Sequence, residues 1–155
     1  MLRLHIQGVP IHPALVHFPV ALWSLAAAAQ AAALVFDHAG LWAMGYWLVL
    51  LGVIFGALAA ATGVLEFADR RRFPRHSPAF HMAFAHMRWM AAAWNCFAIE
   101  LALVQAQPPS STIGAIALGL SLTGFACMTW GAHQAGRLVH SPQGLHATYQ
   151  DHHGH

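Results

Sequence analysis

Four long apolar runs, separated by short polar breaks, dominate the chain. They cover about residues 14–36, 41–67, 79–104 and 112–133. A hydrocarbon core about 30 Å thick asks for about 20 apolar residues of helix, so each run is long enough to cross it. The breaks fall at 37–40, 68–78 and 105–111, the last with the helix-breaking pair Pro108-Pro109. Connections this short join antiparallel neighbours, which predicts an all-α, up-down integral membrane four-helix bundle. The bundle is read as one domain over 1–140, followed by a His-rich tail at 141–155.

Composition agrees with the pattern. Of 155 residues, 58% are hydrophobic and 8% charged, too few polar groups to clothe a soluble domain. There is no Lys, and the Arg residues are unevenly placed. Arg70, Arg71, Arg72 and Arg75 fill the second break, Arg3 precedes the first run, and Arg137 follows the fourth. In a four-span protein those regions share one side, and the other side carries Asp37 without Arg. The positive-inside bias therefore predicts that both termini and the 68–78 segment are cytoplasmic, in a multi-pass membrane protein. A net charge of +2 is too small and too local to suggest nucleic acid.

Smaller features fit a membrane bundle. Cys96 and Cys127 lie in apolar stretches without a C-x-x-C pattern and are expected to be packing residues. The first run opens with little charge, is long, and is interrupted by His17 and Pro19, so it reads as a retained span with a kink rather than a cleaved signal. Gly52 and Gly56, then Gly114, Gly119 and Gly124, are expected points of close helix approach. Trp42, Tyr46 and Trp47 resemble an interfacial aromatic group.

Histidine changes the picture. The chain has 13, and histidine is rare within membranes unless it has a role. His12 and His17 open the first run, His81 and His86 open the third, and His133 closes the fourth. Thr62, Gly63 and Glu66 stand at the same level of the second run. Polar groups of all four runs thus gather at the cytoplasmic end. A histidine near a helix end can simply snorkel to water, which suffices for His81 taken alone. His5, His38, His76 and His146 need no role, and His152, His153 and His155 read as a loose terminus. His17 and His86 interrupt apolar runs, where an unpaired imidazole costs a few kcal/mol. They are the prime candidates for cofactor or metal ligands.

Two chemistries suit such ligands. A haem b takes axial nitrogens from facing helices, with Arg70–Arg75, Arg88 and Arg137 available to its propionates and room beside Ala91, Ala92 and Ala93. A mononuclear transition metal, bound with help from Glu66, is the alternative.

Three segments carry a family resemblance. Ile11-His12-Pro13-Ala14-Leu15-Val16-His17-Phe18-Pro19-Val20 resembles the opening signature of a family of small bacterial membrane proteins catalogued as domain of unknown function 2231. Ala61-Thr62-Gly63 with Glu66 is similar to its second signature, which more often carries aspartate. Gly136-Arg137-Leu138-Val139-His140 is similar to its closing segment, with His140 in place of the usual tyrosine. The family's third-span histidine and asparagine would correspond to His86 and Asn95, at a longer spacing. The resemblance implies the four-span fold. Fusion of some members to Rieske-type iron–sulfur domains implies electron transfer near the membrane.

The resulting expectation is a small b-type cytochrome. His17 and His86 would be the axial ligands, and His12, Glu66 and Asn95 would orient imidazoles or carry protons. His81 and His133 would be substitute ligands or hold a second haem. Electrons would pass between a quinone or haem partner and another redox protein, such as an iron–sulfur protein or cytochrome. The lipid bilayer would surround the chain, and a homo- or hetero-oligomer is compatible with this reading. The rival expectation is a non-redox metal-binding or transport module, or an accessory subunit of a larger complex. No nucleophile–base pair or phosphate loop stands out, so an electron-transfer protein or subunit is favoured over a stand-alone enzyme.

Overall fold

The structure, a computed structural model, describes residues 5–6, 9–68 and 75–139. Arg3, Arg70, Arg71, Arg72, His140, His146, His152, His153 and His155 lie outside the described residues, as does the 141–155 tail.

The chain folds into four helices: α1 (Ile11–Phe36), α2 (Ala39–Phe67), α3 (Pro78–Leu103) and α4 (Ser111–Val139). At about 1.5 Å per residue each exceeds the hydrocarbon thickness. A two-residue antiparallel pair, β1 (His5–Ile6) with β2 (Val9–Pro10), precedes α1 and adds no layer to this all-α fold. Helix α1 starts at Ile11, three residues before the apolar run, because Pro13 falls in the first turn, where a missing N–H costs nothing. It continues unbroken through Pro19. Helix α4 runs on to Val139 rather than stopping at 133. No proline intervenes there, the helix runs through Gly136, and Arg137 complements the dipole in its last turn.

The turns are tight. Asp37 adopts a φ of 48°, a left-handed conformation that Asp tolerates better than most residues. His38 then caps α2, its Nδ1 accepting the Leu41 N–H at 3.2 Å. Ser77 caps α3 by accepting the Phe80 N–H at 3.1 Å, with Pro78 in the first turn.

Packing follows chain order. Helix α1 lies along α2 and α3 along α4, and the two pairs meet through α1–α4 and α2–α3 contacts. Helices α1 and α3 therefore face each other across the diagonal of an up-down bundle. Trp23 and Phe97 stack on that diagonal, with centroids 4.6 Å apart and planes 8° from parallel. Ala26, Val49, Ala93 and Met128 complete the core around them. Gly52 and Gly56 let α2 approach the indole: a Cβ at Gly52 would stand 2.4 Å from Trp23 Nε1. Gly124 likewise admits Phe97, at 2.7 Å.

Three sequence expectations need correction. Gly119 is not an approach point, since nothing lies within 4 Å of where its Cβ would stand. Trp42 is not an interfacial aromatic: it is 2% exposed, packs with Ala33, Val104 and Ala117, and its Nε1 donates to Gln105 O at 3.0 Å. Its neighbour Trp47 is the exposed member of that group. Third, the four helices are not equal in hydropathy. Helices α1, α2 and α4 are long and apolar enough to cross a membrane. Helix α3 carries His81, His86, Arg88, Asn95 and Glu100 and falls short of that composition, despite its 26 residues.

Candidate functional site

At the end of the bundle where α1 and α3 begin, two imidazoles turn inward. His12 places Nδ1 2.9 Å from Ala59 O and 3.2 Å from Thr62 Oγ1, both on α2. The Thr62 hydroxyl itself donates to Ala59 O at 2.9 Å. Gly63 makes this contact possible, because a Cβ there would meet His12 Cε1 at 2.8 Å. The His12-Pro13 and Ala61-Thr62-Gly63 segments, 50 residues apart, are thus two halves of one contact. From the facing helix, His86 places Nδ1 2.8 Å from Gly131 O on α4.

A carbonyl oxygen can only accept, so each bond puts the proton on Nδ1 and leaves the Nε2 lone pair uncommitted. That is the arrangement of ligating histidines, whose second nitrogen is held by an outer partner.

The other sequence candidates sit differently. His17 is exposed, and its Nδ1 bonds Pro13 O of its own helix at 2.7 Å. His81 and His133 are exposed, each beside an aromatic of its own helix, Phe80 and Trp130, and no hydrogen bond or ring contact joins them. Asn95 stands about 14 Å further along α3 than His86. Its amide is turned to Ala91 O at 2.8 Å, so it does not touch either imidazole of the pair. Glu66 is half-buried in the last turn of α2. Arg137 is exposed, and Arg88 lies over the Phe84 ring at 5.9 Å. The expected room beside Ala91–Ala93 is taken up by packing: Ala93 is fully buried in the Trp23–Phe97 core, and Ala91 faces outward. Among the described residues, no group of three or more His, Cys, Asp or Glu is gathered as a metal site.

A second polar site escaped sequence reasoning. Gln30 on α1, Glu100 on α3 and Ser121 on α4 are each 0% exposed and bonded to one another. The Gln30 amide meets Glu100 Oε1, and Ser121 Oγ lies 2.7 Å from Glu100 Oε2 and 2.8 Å from Gln30 Oε1. Gly45 makes room for Gln30, whose Cγ would stand 2.7 Å from a Cβ at that position. The signal available was three polar residues interrupting three apolar runs toward the same end of the bundle. Between the two polar sites, the Trp23 indole N–H is buried with no hydrogen-bond partner among the described residues.

No curated protein and no solved structure matches the chain. One family does match, over residues 8–148, a span that takes in all four helices and both halves of the His12–Thr62 contact. The chain belongs to that family, whose description is "Predicted membrane protein (DUF2231)".

Proposed function

We propose that this membrane protein transfers electrons as a b-type cytochrome, in which His12 and His86 would hold the haem at the end where α1 and α3 begin. The observation that carries the reading is the pinned pair of imidazoles, each with Nδ1 bonded to a backbone carbonyl of a neighbouring helix. His17, expected from the sequence as the α1 ligand, faces outward and bonds within its own helix, so the assignment moves to His12. A bare transition metal asks the protein for three or more ligands, whereas haem iron asks for two. A site with two histidines and no third gathered ligand among the described residues therefore favours haem.

Haem would supply reversible one-electron chemistry. Ala59, Thr62 and Gly131 would hold the two rings in one tautomer, and the Trp23–Phe97 layer would keep water from reaching them through the bundle. Arg137, about 9 Å along α4 from Gly131, offers a cation to the propionates. The redox partner would be a membrane quinone or a redox protein, such as an iron–sulfur protein or cytochrome, at the cytoplasmic face of a bacterial inner membrane.

The test is a reduced-minus-oxidised visible spectrum of the detergent-purified protein, with a pyridine haemochrome assay on the same sample. The expected result is a low-spin b-type signal stoichiometric with protein, lost in His12→Ala and in His86→Ala but kept in His17→Ala. A colourless protein from haem-sufficient cells would overturn the reading and leave the accessory-subunit alternative.

A further inference from the structure

The Gln30–Glu100–Ser121 ring fixes the chemical state of its carboxyl by counting hydrogens. Three polar contacts join the three side chains, and each needs one hydrogen between its two heavy atoms. The Ser121 hydroxyl supplies one. The Gln30 amide nitrogen takes part in a single contact and supplies another. The third can come only from Glu100. With the amide as placed, Gln30 Nε2 donates to Glu100 Oε1, Ser121 donates to Gln30 Oε1, and the carboxyl O–H donates to Ser121. Exchanging the amide oxygen and nitrogen reverses the direction around the ring. Gln30 then donates to Ser121, Ser121 to the carboxyl, and the carboxyl to Gln30, so the count is unchanged. A carboxylate leaves one pair of oxygens facing each other at hydrogen-bonding distance with no hydrogen between them.

The surroundings agree. All three residues are 0% exposed, and no ion pair reaches Glu100 among the described residues, so nothing there balances a negative charge. The three side chains already touch at hydrogen-bonding distance, which leaves no gap among their oxygens for a metal cation.

We propose that Glu100 is a neutral carboxylic acid and that the ring is a proton-binding site within the membrane domain. It stands about 27 Å along α1 from His12, beyond the Trp23–Phe97 stack, and does not depend on what the histidines bind.

Infrared spectroscopy of the purified protein at neutral pH, in H2O and in D2O, tests this. The expected difference between the native protein and Glu100→Gln is a protonated-carboxyl C=O band, shifted by deuteration and missing from the variant. Glu100→Gln keeps the ring intact, because an amide accepts from Gln30 and donates to Ser121. Should that variant fail to fold, Ser121→Ala serves instead: the carboxylic band must move to higher frequency as the carboxyl loses its hydrogen bond with Ser121, whichever way that bond runs. Carboxylate bands alone at Glu100, or a band that Ser121→Ala leaves unmoved, would overturn the proposal.

Discussion

A methyl group at Gly63 would stand 2.8 Å from His12 Cε1, inside van der Waals contact, so Gly63→Ala must push the ring off Ala59 O and Thr62. Overpacking of this size costs about 1–3 kcal/mol. The variant should unfold at lower temperature in a circular-dichroism melt and, under the proposed haem reading, yield less haem per protein in a haemochrome assay. Ser121→Ala acts through unsatisfied groups rather than overpacking. A single hydrogen bond inside a membrane protein averages only about 0.6 kcal/mol. This change, however, strands both Gln30 and Glu100, and each buried polar group left unpaired costs about 1–3 kcal/mol. A loss near 2 kcal/mol in detergent unfolding is expected, and one near 0.6 kcal/mol would mean that the ring relaxes around the gap. These residues also mark where the sequence stops being legible. His12 and His17 are five apart, so they point about 140° away from each other on a helix and cannot both face inward. Which one does is decided by Gly63, on another helix. Gln30, Glu100 and Ser121 are separated by 70 and 21 residues, and nothing local sets Gln30 apart from Ser24 or Ser121 apart from Thr123.

Helix boundaries and loop lengths were legible from apolar run length and the Pro and Gly breaks, because those properties are local. The quality of a helix–helix contact is not local, and the glycines illustrate it. Gly52→Ala would place a Cβ 2.4 Å from the Trp23 ring, which is already pressed against Phe97, so α1 must separate from α2. Gly119→Ala would place a methyl group in open space on the outer face of α4. The first should lower stability by about 1–3 kcal/mol. The second should be neutral, or stabilising by up to about 1 kcal/mol through helix propensity. Melts of the two variants side by side check the pair, and equal effects would contradict the packing described for α2. Helix α3 poses the complementary case. It packs along α4 yet carries Arg88 near its middle and the polar Glu100 near its end, and a charge near the middle of a span costs about 2.5–3.5 kcal/mol in insertion. As an isolated segment, α3 should insert into membranes less efficiently than α2, as read by glycosylation mapping, because α1 and α4 supply the partners of Glu100 only in the assembled bundle.

At the scale of the whole molecule, the bundle is polar at its two ends and closed by aromatic packing between them. The His12–His86 layer lies at the end shared by the starts of α1 and α3, the Gln30–Glu100–Ser121 ring lies toward the opposite end, and the Trp23–Phe97 stack separates them. That division argues against a continuous polar path and for two sites with separate roles. Which end meets the cytoplasm is set by charge rather than by packing. Arg75 and Arg137 stand at the histidine end, and Asp37, without Arg, at the other. Orientation follows the Lys and Arg of short loops, and this chain has no Lys, so a few Arg residues carry the whole bias. Alkaline-phosphatase fusions should therefore be inactive at the C-terminus and after the α2–α3 connection, and active in the Asp37 turn. Replacing Arg70, Arg71, Arg72 and Arg75 together by Gln should give a mixed topology, with part of the population active at the C-terminal fusion. A native chain active at its C-terminus would place the histidine layer on the periplasmic side, and the proposed electron partner would then have to be sought there.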